Sequence, residues 1–259
     1  MISSDNFEVI DSLKGDGTLF EVLAYRSTIG NCGPHNAATL WYMHQTGVRY
    51  HQVRITLDDA EVRLQAGALH FMRGDITMET DAGSISKFFK RGLGALASGE
   101  TIIKPVYRGT GEIFLEPSFG HFILVDIDDF PMICDDGMFF AADKGIEVTA
   151  HVQKKMSARI FGGEGWVQPK LAGKGVAVLE SPIPFEEVVR VPLDDDTLKV
   201  DGSFAIARLG DIAFTVERST KSLLGSAASG EGLLQTFRGT GEVWLNPTEK
   251  MFPPLIRPI

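Results

Sequence analysis

The sequence predicts an all-β chain assembled from three pseudo-equivalent modules, and three observations carry that expectation. The stretch YRGTGEIFLEP at 107–117 returns as FRGTGEVWLNP at 237–247, identical at seven of eleven positions. Apolar residues alternate, as in Val53-Ile55-Leu57, Ile113-Leu115 and Val189-Val191-Leu193, which is the period of a half-buried strand. Glycine makes up 28 of 259 residues, roughly 11% against about 7% in average proteins, and it falls with Pro and Asp between the apolar runs, where turns and bulges need it.

The repeat becomes threefold when the glycines closing each GTG, Gly111 and Gly241, are used as anchors. Midway between them KLAGKGVAVLES places Gly175, so that the anchors stand 64 and 66 positions apart. Gly99-Glu100, Gly163-Glu164 and Gly230-Glu231 precede the three anchors in the same order, and Leu115, Leu179 and Leu245 follow them. A second signature keeps step: VRITLDDAEVRLQAGALHFM, VDIDDFPMICDDGMFFAA and VRVPLDDDTLKVDGSFAIA each read as strand, acidic turn, strand, glycine, strand. Repetition along one chain fixes architecture more firmly than single propensities. The expected organisation is one compact unit over 1–259, with modules at about 1–110, 111–174 and 175–259, and no helical stripe longer than two turns.

Between the last strand of each signature and the Gly-Glu pair lies a segment that is basic first, apolar next and small last: SISKFFKRGLGALAS, QKKMSARIFG and RSTKSLLGSAAS. These segments read as loops or single helical turns. They carry Lys87, Lys90, Arg91, Lys154, Lys155, Arg159, Arg218 and Lys221, which is 8 of 25 cationic residues, while Asp58-Asp59, Asp128-Asp129, Asp135-Asp136 and Asp194–Asp196 gather in the other turns. A basic end and an acidic end are therefore expected.

Composition narrows the function classes. The net charge of −9 disfavours a generic, charge-driven nucleic-acid binder. No run of about 18 apolar residues is present to cross a bilayer, and the opening MISSDNFEVIDSLKGDG lacks the basic start and apolar core of a secretory signal. A cytoplasmic chain, peripheral to a membrane at most, is expected. Cys32 and Cys134 form no Cys-x-x-Cys and read as small buried hydrophobes rather than a disulfide framework or zinc site.

GALHFMRGDITMET, ASGETIIKPVYRGTGEIFLEPSFGHFILVDI, KGIEVTAHVQ, FGGEGWVQPKLAGKGVAVLES and STKSLLGSAASGEGLLQTFRGTGEVWLNP together resemble the altered inheritance of mitochondria protein 24 family, from about Phe7 to Pro247. The resemblance implies short double-stranded β-helix modules, related in fold to the tryptophan RNA-binding attenuation protein, three per chain, in a homotrimer that closes as a ring. It implies no reaction. The stretch from about 24 to 52 departs from the shorter members.

The candidate chemistry is sparse. Six histidines contain no His-x-His pair of the cupin kind; only His35, His44 and His51, with Cys32, lie close enough in sequence to suggest a metal, and surface or hydrogen-bonded roles are the simpler reading. GLGALA at 92–97 matches a dinucleotide pattern, but a basic segment precedes it where a strand is needed. Glu100, Glu164 and Glu231 read as carboxylates that tie loop amides or nearby cations, and Gly99, Gly163 and Gly230 as turn residues beside them. Arg108 and Arg238 have Ala172 as their middle counterpart, so pairing or packing is expected of them. Phe114, Val178 and Trp244 are expected on a buried or subunit-facing surface.

The contact elements expected from sequence are the basic segments: Lys87, Phe88, Phe89, Lys90 and Arg91, then Lys154, Lys155 and Arg159, then Arg218 and Lys221. Cations beside apolar side chains suit an anionic membrane surface or an acidic protein partner. The expected function is a non-enzymatic, ring-forming scaffold with no cofactor. The alternatives are a small-ligand or nucleic-acid-binding ring and a cupin-like metal-dependent enzyme.

Overall fold

The computed structural model describes residues 5–27, 33–79, 104–153, 166–202, 204–218 and 233–249. Among them run thirteen strands and one α-helix: β1 (Phe7–Lys14), β2 (Thr18–Tyr25), α1 (Ala37–Gln45), β3 (His51–Leu64), β4 (Leu69–Glu79), β5 (Val106–Leu115), β6 (His121–Asp128), β7 (Met132–Cys134), β8 (Phe139–Asp143), β9 (Ile146–Gln153), β10 (Trp166–Ser181), β11 (Val189–Asp201), β12 (Ala205–Arg218) and β13 (Leu233–Leu245). The protein is all-β. Its sheet runs β1-β2-β3-β8-β10-β7-β12-β13-β11, with β4 and β5 paired, β5 also on β3, and β6 and β9 on β10. Each of these pairs is antiparallel.

The strands that carry Gly111, Gly175 and Gly241 are inner ones. β5 lies between β3 and β4 and β13 between β11 and β12, while β10 pairs with β9 along 166–173 and with β6 along 174–181. At Gly241 the neighbouring backbone comes so close that a Cβ would lie 2.0 Å from the Leu209 carbonyl, and at Gly175 the Asp143 side chain does the same, its Cβ 2.9 Å away. Their φ angles of 151° and 137° fall where side chains are disfavoured as well.

The acidic residues expected in strand-ending turns sit instead, in two of three places, inside continuous strands. Asp58 and Asp59 together oppose Thr110 between the Leu57↔Gly111 and Ala60↔Gly109 pairs, and Asp194 and Asp195 likewise oppose Thr240 between Leu193↔Gly241 and Asp196↔Gly239. This is a two-against-one β-bulge, which bends the strand without ending it. Asp59 and Asp195 in the bulges, and Asp129 between β6 and β7, take a left-handed φ, 48°, 51° and 62°, and Asp tolerates that region better than most residues. The amides of Asp59 and Asp195 donate to the Thr110 and Thr240 hydroxyls at 3.0 and 3.1 Å. Lys174 replaces the threonine at the middle position and reaches Asp128 and Asp129 at 2.8 and 3.0 Å.

Helix α1, nine residues long, spans two and a half turns and carries no apolar stripe, in keeping with the sequence reading. Leu40, Trp41, Tyr42 and Met43 are consecutive rather than spaced three and four apart, so no apolar stripe announces the helix. None of its residues is buried. Gly47, with φ 75°, ends it.

The interior is divided into three clusters. The first gathers Phe20, Val22, Val53, Ile55, Leu57, Val62, Leu64 and Ile113 with Phe140 and Ala141 of β8; the second gathers Ile123, Ile127, Met132, Cys134, Leu171 and Leu179 with Ile206 and Ala207 of β12. The third, smaller among the described residues, is Leu193, Val200, Ala205, Ile212, Phe214, Phe237 and Val243. Cys134 is free and buried, as expected of a small hydrophobe; Cys32 lies outside the described residues.

Candidate functional site

Two inner seams join the clusters. At the first, Val62, Arg63 and Leu64 of β3 pair with Asp143, Ala142 and Ala141 of β8. At the second, Met132, Ile133 and Cys134 of β7 pair with Leu209, Arg208 and Ala207 of β12. The bonds just beyond correspond too: the Gln65 amide donates to the Phe140 carbonyl at 2.8 Å, and the Asp135 amide to the Ile206 carbonyl at 2.9 Å.

Both seams hold buried polar groups. In the first, the Asp143 carboxylate, 2% exposed, accepts from the Thr18 hydroxyl at 2.6 Å and the Val176 amide at 2.9 Å. Burial nonetheless raises its pKa above the usual carboxylate range. In the second, Gln168 donates to Asp135 at 2.9 Å and accepts from an Arg208 Nη at 3.2 Å. Arg208 is 5% exposed, its Nε is buried without a partner, and its guanidinium lies 5.2 Å from the Phe214 ring centre. Burial pushes the Asp135 carboxyl up to about 7 and the Arg208 guanidinium down to about 10. Lys104, lying over the Phe139 ring and bonded to Gln65, falls to about 8 by burial.

Among the described residues β4 pairs with β5 alone and β11 with β13 alone; β1 likewise pairs only with β2, and β6 and β9 only with β10. Nearly every residue of β4 is exposed, including Phe71 at 41%, Met72 at 42% and Met78 at 55%. Phe71 stacks on Phe114 with ring centres 4.5 Å apart. A cleft of about 400 Å³ opens beside it, lined by Thr56, Leu57, Arg73, Gly74, Thr110, Gly111 and Glu112. Open edges with apolar side chains are pairing surfaces unless something blunts them, so this is the chain's best candidate contact site.

The basic contact residues expected from sequence fall outside this description. Lys87, Phe88, Phe89, Lys90, Arg91, Lys154, Lys155, Arg159 and Lys221 lie outside the described residues, as do Gly99, Glu100, Gly163, Glu164, Gly230 and Glu231. Arg218 is described only as the last backbone position of β12. The strand ends that these segments join are paired: Glu79↔Val106, Gln153↔Trp166 and Arg218↔Leu233.

The other sequence candidates resolve more fully. Arg108 reaches Glu61 at 2.6 Å and Arg238 reaches Glu217 at 2.7 Å, the pairing expected of them. Phe114, Val178 and Trp244 are buried. His51, far from forming a trio with His35 and His44, bonds through Nδ1 to the Gly120 carbonyl at 2.8 Å, with its ring centre 5.0 Å from that of His121. Burial and the neighbouring His51 hold His121 down to about 4. Among the described residues no three His, Cys, Asp or Glu side chains converge as a metal would require.

The polar seam residues were missed because partners lie scores of residues apart and share no motif. The pair Arg54 and Glu21, bonded at 2.6 and 2.9 Å and both buried, had one legible signal: a lone charge inside each of two apolar runs, LFEVLA and VRIT.

Comparison with known proteins decides the family. The family model described as Mitochondrial biogenesis AIM24 matches residues 43–248. The chain belongs to this family. Residues 7–25 of β1 and β2, which cover the first cluster through Phe20 and Val22, lie ahead of the AIM24 match. An uncharacterized protein of Streptococcus pyogenes serotype M6 is 24% identical over 192 residues, spanning 71% of this chain and 75% of that protein. The crystal structure of another Streptococcus pyogenes protein superposes with a TM-score of 0.55 at 21% identity, over 76% of this chain and 88% of that one. That likeness is one of fold. No described helix of this AIM24 protein is long and apolar enough to cross a membrane.

Proposed function

We propose that this AIM24 protein is a non-enzymatic scaffold that closes into a ring of identical chains, a homotrimer as the family resemblance implies, and presents its basic segments to a protein partner or an anionic membrane surface at the cytoplasmic side. In this reading the chain is three copies of a short double-stranded β-helix unit, each centred on one of the glycine strands β5, β10 and β13. The recurring left-handed aspartates and the matched seams support it. The cuts read from sequence at 110/111 and 174/175 fall inside β5 and β10, so the units are better bounded before β3, β6 and β11.

One observation carries the self-assembly: the strand pair at each inner seam is buried, while β4 and β11, the remaining strands of the same kind, have no such partner among the described residues. Intact-mass measurement in native buffer tests it, and a monomer at all concentrations up to ~100 µM would end the ring reading. The surface-binding part is tested by co-sedimentation with phosphatidylserine vesicles. Reversing Lys87, Lys90 and Arg91 to Glu should abolish binding while the mass stays that of the oligomer.

A further inference from the structure

We infer that β4 of one chain pairs antiparallel with β11 of a second copy in a defined register, Phe71 opposite Val200, Met72 opposite Lys199 and Arg73 opposite Leu198. This rests on the ring reading above and names the surface that would close it. The register comes from the two inner seams, which follow one rule counted from fixed points. On the receiving strand the points are the left-handed aspartates. Cys134 lies five residues after Asp129 and Leu64 five after Asp59, and each is the last seam residue paired; five after Asp195 is Val200.

On the donating strand the point is a second irregularity in the ladder. β12 skips a residue between Ala205 and Ala207, β8 between Phe139 and Ala141, and β4 between Leu69 and Phe71. Ala207 and Ala141, the residues just after the skip, are the ones opposite Cys134 and Leu64. The matching residue of β4 is Phe71.

Packing points the same way. At each inner seam the donating strand delivers its skipped residue and the next one into the preceding cluster: Phe140 and Ala141 into the first, Ile206 and Ala207 into the second. The third cluster receives no such pair among the described residues. Phe71 is 41% exposed where Ala207 and Ala141 are 5% and 0% exposed. Its large ring, stacked on Phe114, is the apolar group that the third cluster of a second copy would cover beside Val200 and Leu198. Because the two edges differ, the contact is head to tail, and contacts of that type close into rings when the rotation permits.

The test is mixed-disulfide formation on a Cys32→Ser background; Cys134 is fully buried and can stay. Met72→Cys and Lys199→Cys chains, prepared separately, are mixed and oxidised. The expected result is a Met72→Cys to Lys199→Cys heterodimer at least tenfold more abundant than either homodimer or than the product with Thr197→Cys. Dominant Met72→Cys homodimer, or preference for Thr197→Cys, overturns the register. Intact mass on the same samples separates the two ideas: an oligomer without the crosslink overturns this edge but leaves the ring, and a monomer overturns both. A Phe71→Asp chain that still unfolds cooperatively as a monomer should lose the oligomer, and one that keeps it counts against the proposal.

Discussion

β4 and β12 stand in the same relation to a glycine strand, yet one is open and the other shut in. Both face a long inner strand through a glycine contact, Gly74 on Gly111 and Gly210 on Gly241. β12 has β7 on its far side and begins with four buried residues, Ala205 to Arg208; β4 has no far neighbour among the described residues and begins with Leu69, which is half-buried, then His70, Phe71 and Met72, which are exposed. Position in the fold therefore does not set burial here. The far neighbour does, and the residue just past the skip follows it: Ala207 and Ala141 where a strand is met within the chain, Phe71 where none is.

The strongest way to strain the comparison is at the element both share. Gly241→Val puts a β-branched side chain at φ 151° and within 2.0 Å of the Leu209 carbonyl. Backbone strain and collision together should cost at least about 3 kcal/mol. Gly111→Val meets the Arg73 carbonyl at 2.2 Å and should cost as much, because this contact does not depend on the far neighbour. Urea unfolding of the two variants checks it, and a clearly milder effect at Gly111 would mean that β4 gives way because it is open.

Next comes the far side itself. Ala207→Asp buries an unpaired carboxylate among Met132, Cys134 and Ile206 and should destabilise the fold by about 2–4 kcal/mol. Phe71→Asp, at the corresponding place on β4, gives up the stack on Phe114 and should lower monomer stability by about 1–2 kcal/mol, less than the buried change. Equal losses would show that β4 is as closed as β12.

How much of this was legible in the sequence depends on the distance over which each signal acts. Asp59, Asp129 and Asp195 were visible because each sits in a local acidic group recurring in step with the glycines, although Asp59 and Asp195 form bulges within strands rather than turns. Gly111, Gly175 and Gly241 were visible for the same reason. Helix α1 was hidden because Leu40 to Met43 form a block with no helical period. Asp135, Gln168 and Arg208 could not be read at all, since three strands bring them together and none carries a motif. The open edge was hidden for a related reason: Phe71 looks like any strand residue until the lack of a far neighbour is known.

Asp135 provides a smaller, pH-dependent contrast between the seams. Its carboxyl, held up to about 7 by burial with Glu249 and Asp136 adding to the rise and Gln168 and Arg208 opposing it, keeps a proton in the folded state that an unfolded carboxylate loses near 4. Folding is thus favoured below about pH 4 and progressively less so as pH rises to 7. Asp135→Asn retains the acceptor for Gln168 and cannot ionise. It should match the wild type at pH 4 and exceed it at pH 8 by on the order of 2–3 kcal/mol, measured by urea unfolding at both pH values.

The smallest effects belong to the arginines that the sequence paired off correctly. Arg108 and Arg238 are about half exposed, so water and salt screen their ion pairs, and each should contribute little. They differ in what remains on removal. Arg108→Ala leaves Glu61 with Arg63 at 3.6 Å, whereas Arg238→Ala leaves Glu217 with Lys199 at 3.2 Å. The closer remaining cation makes Arg238→Ala the milder change at low salt, and the gap should vanish near 1 M NaCl, where the screening length falls to about 3 Å. Lys199 is also the residue placed opposite Met72 of a second copy. If that edge forms, Arg238→Ala should become the costlier change in the oligomer, because the Lys199 side chain is then drawn into the new contact and Glu217 loses its remaining partner. A reversal of order between dilute monomer and concentrated oligomer, read as unfolding midpoints over a hundredfold range of protein concentration, would tie the smallest energies on the molecule to its open edge.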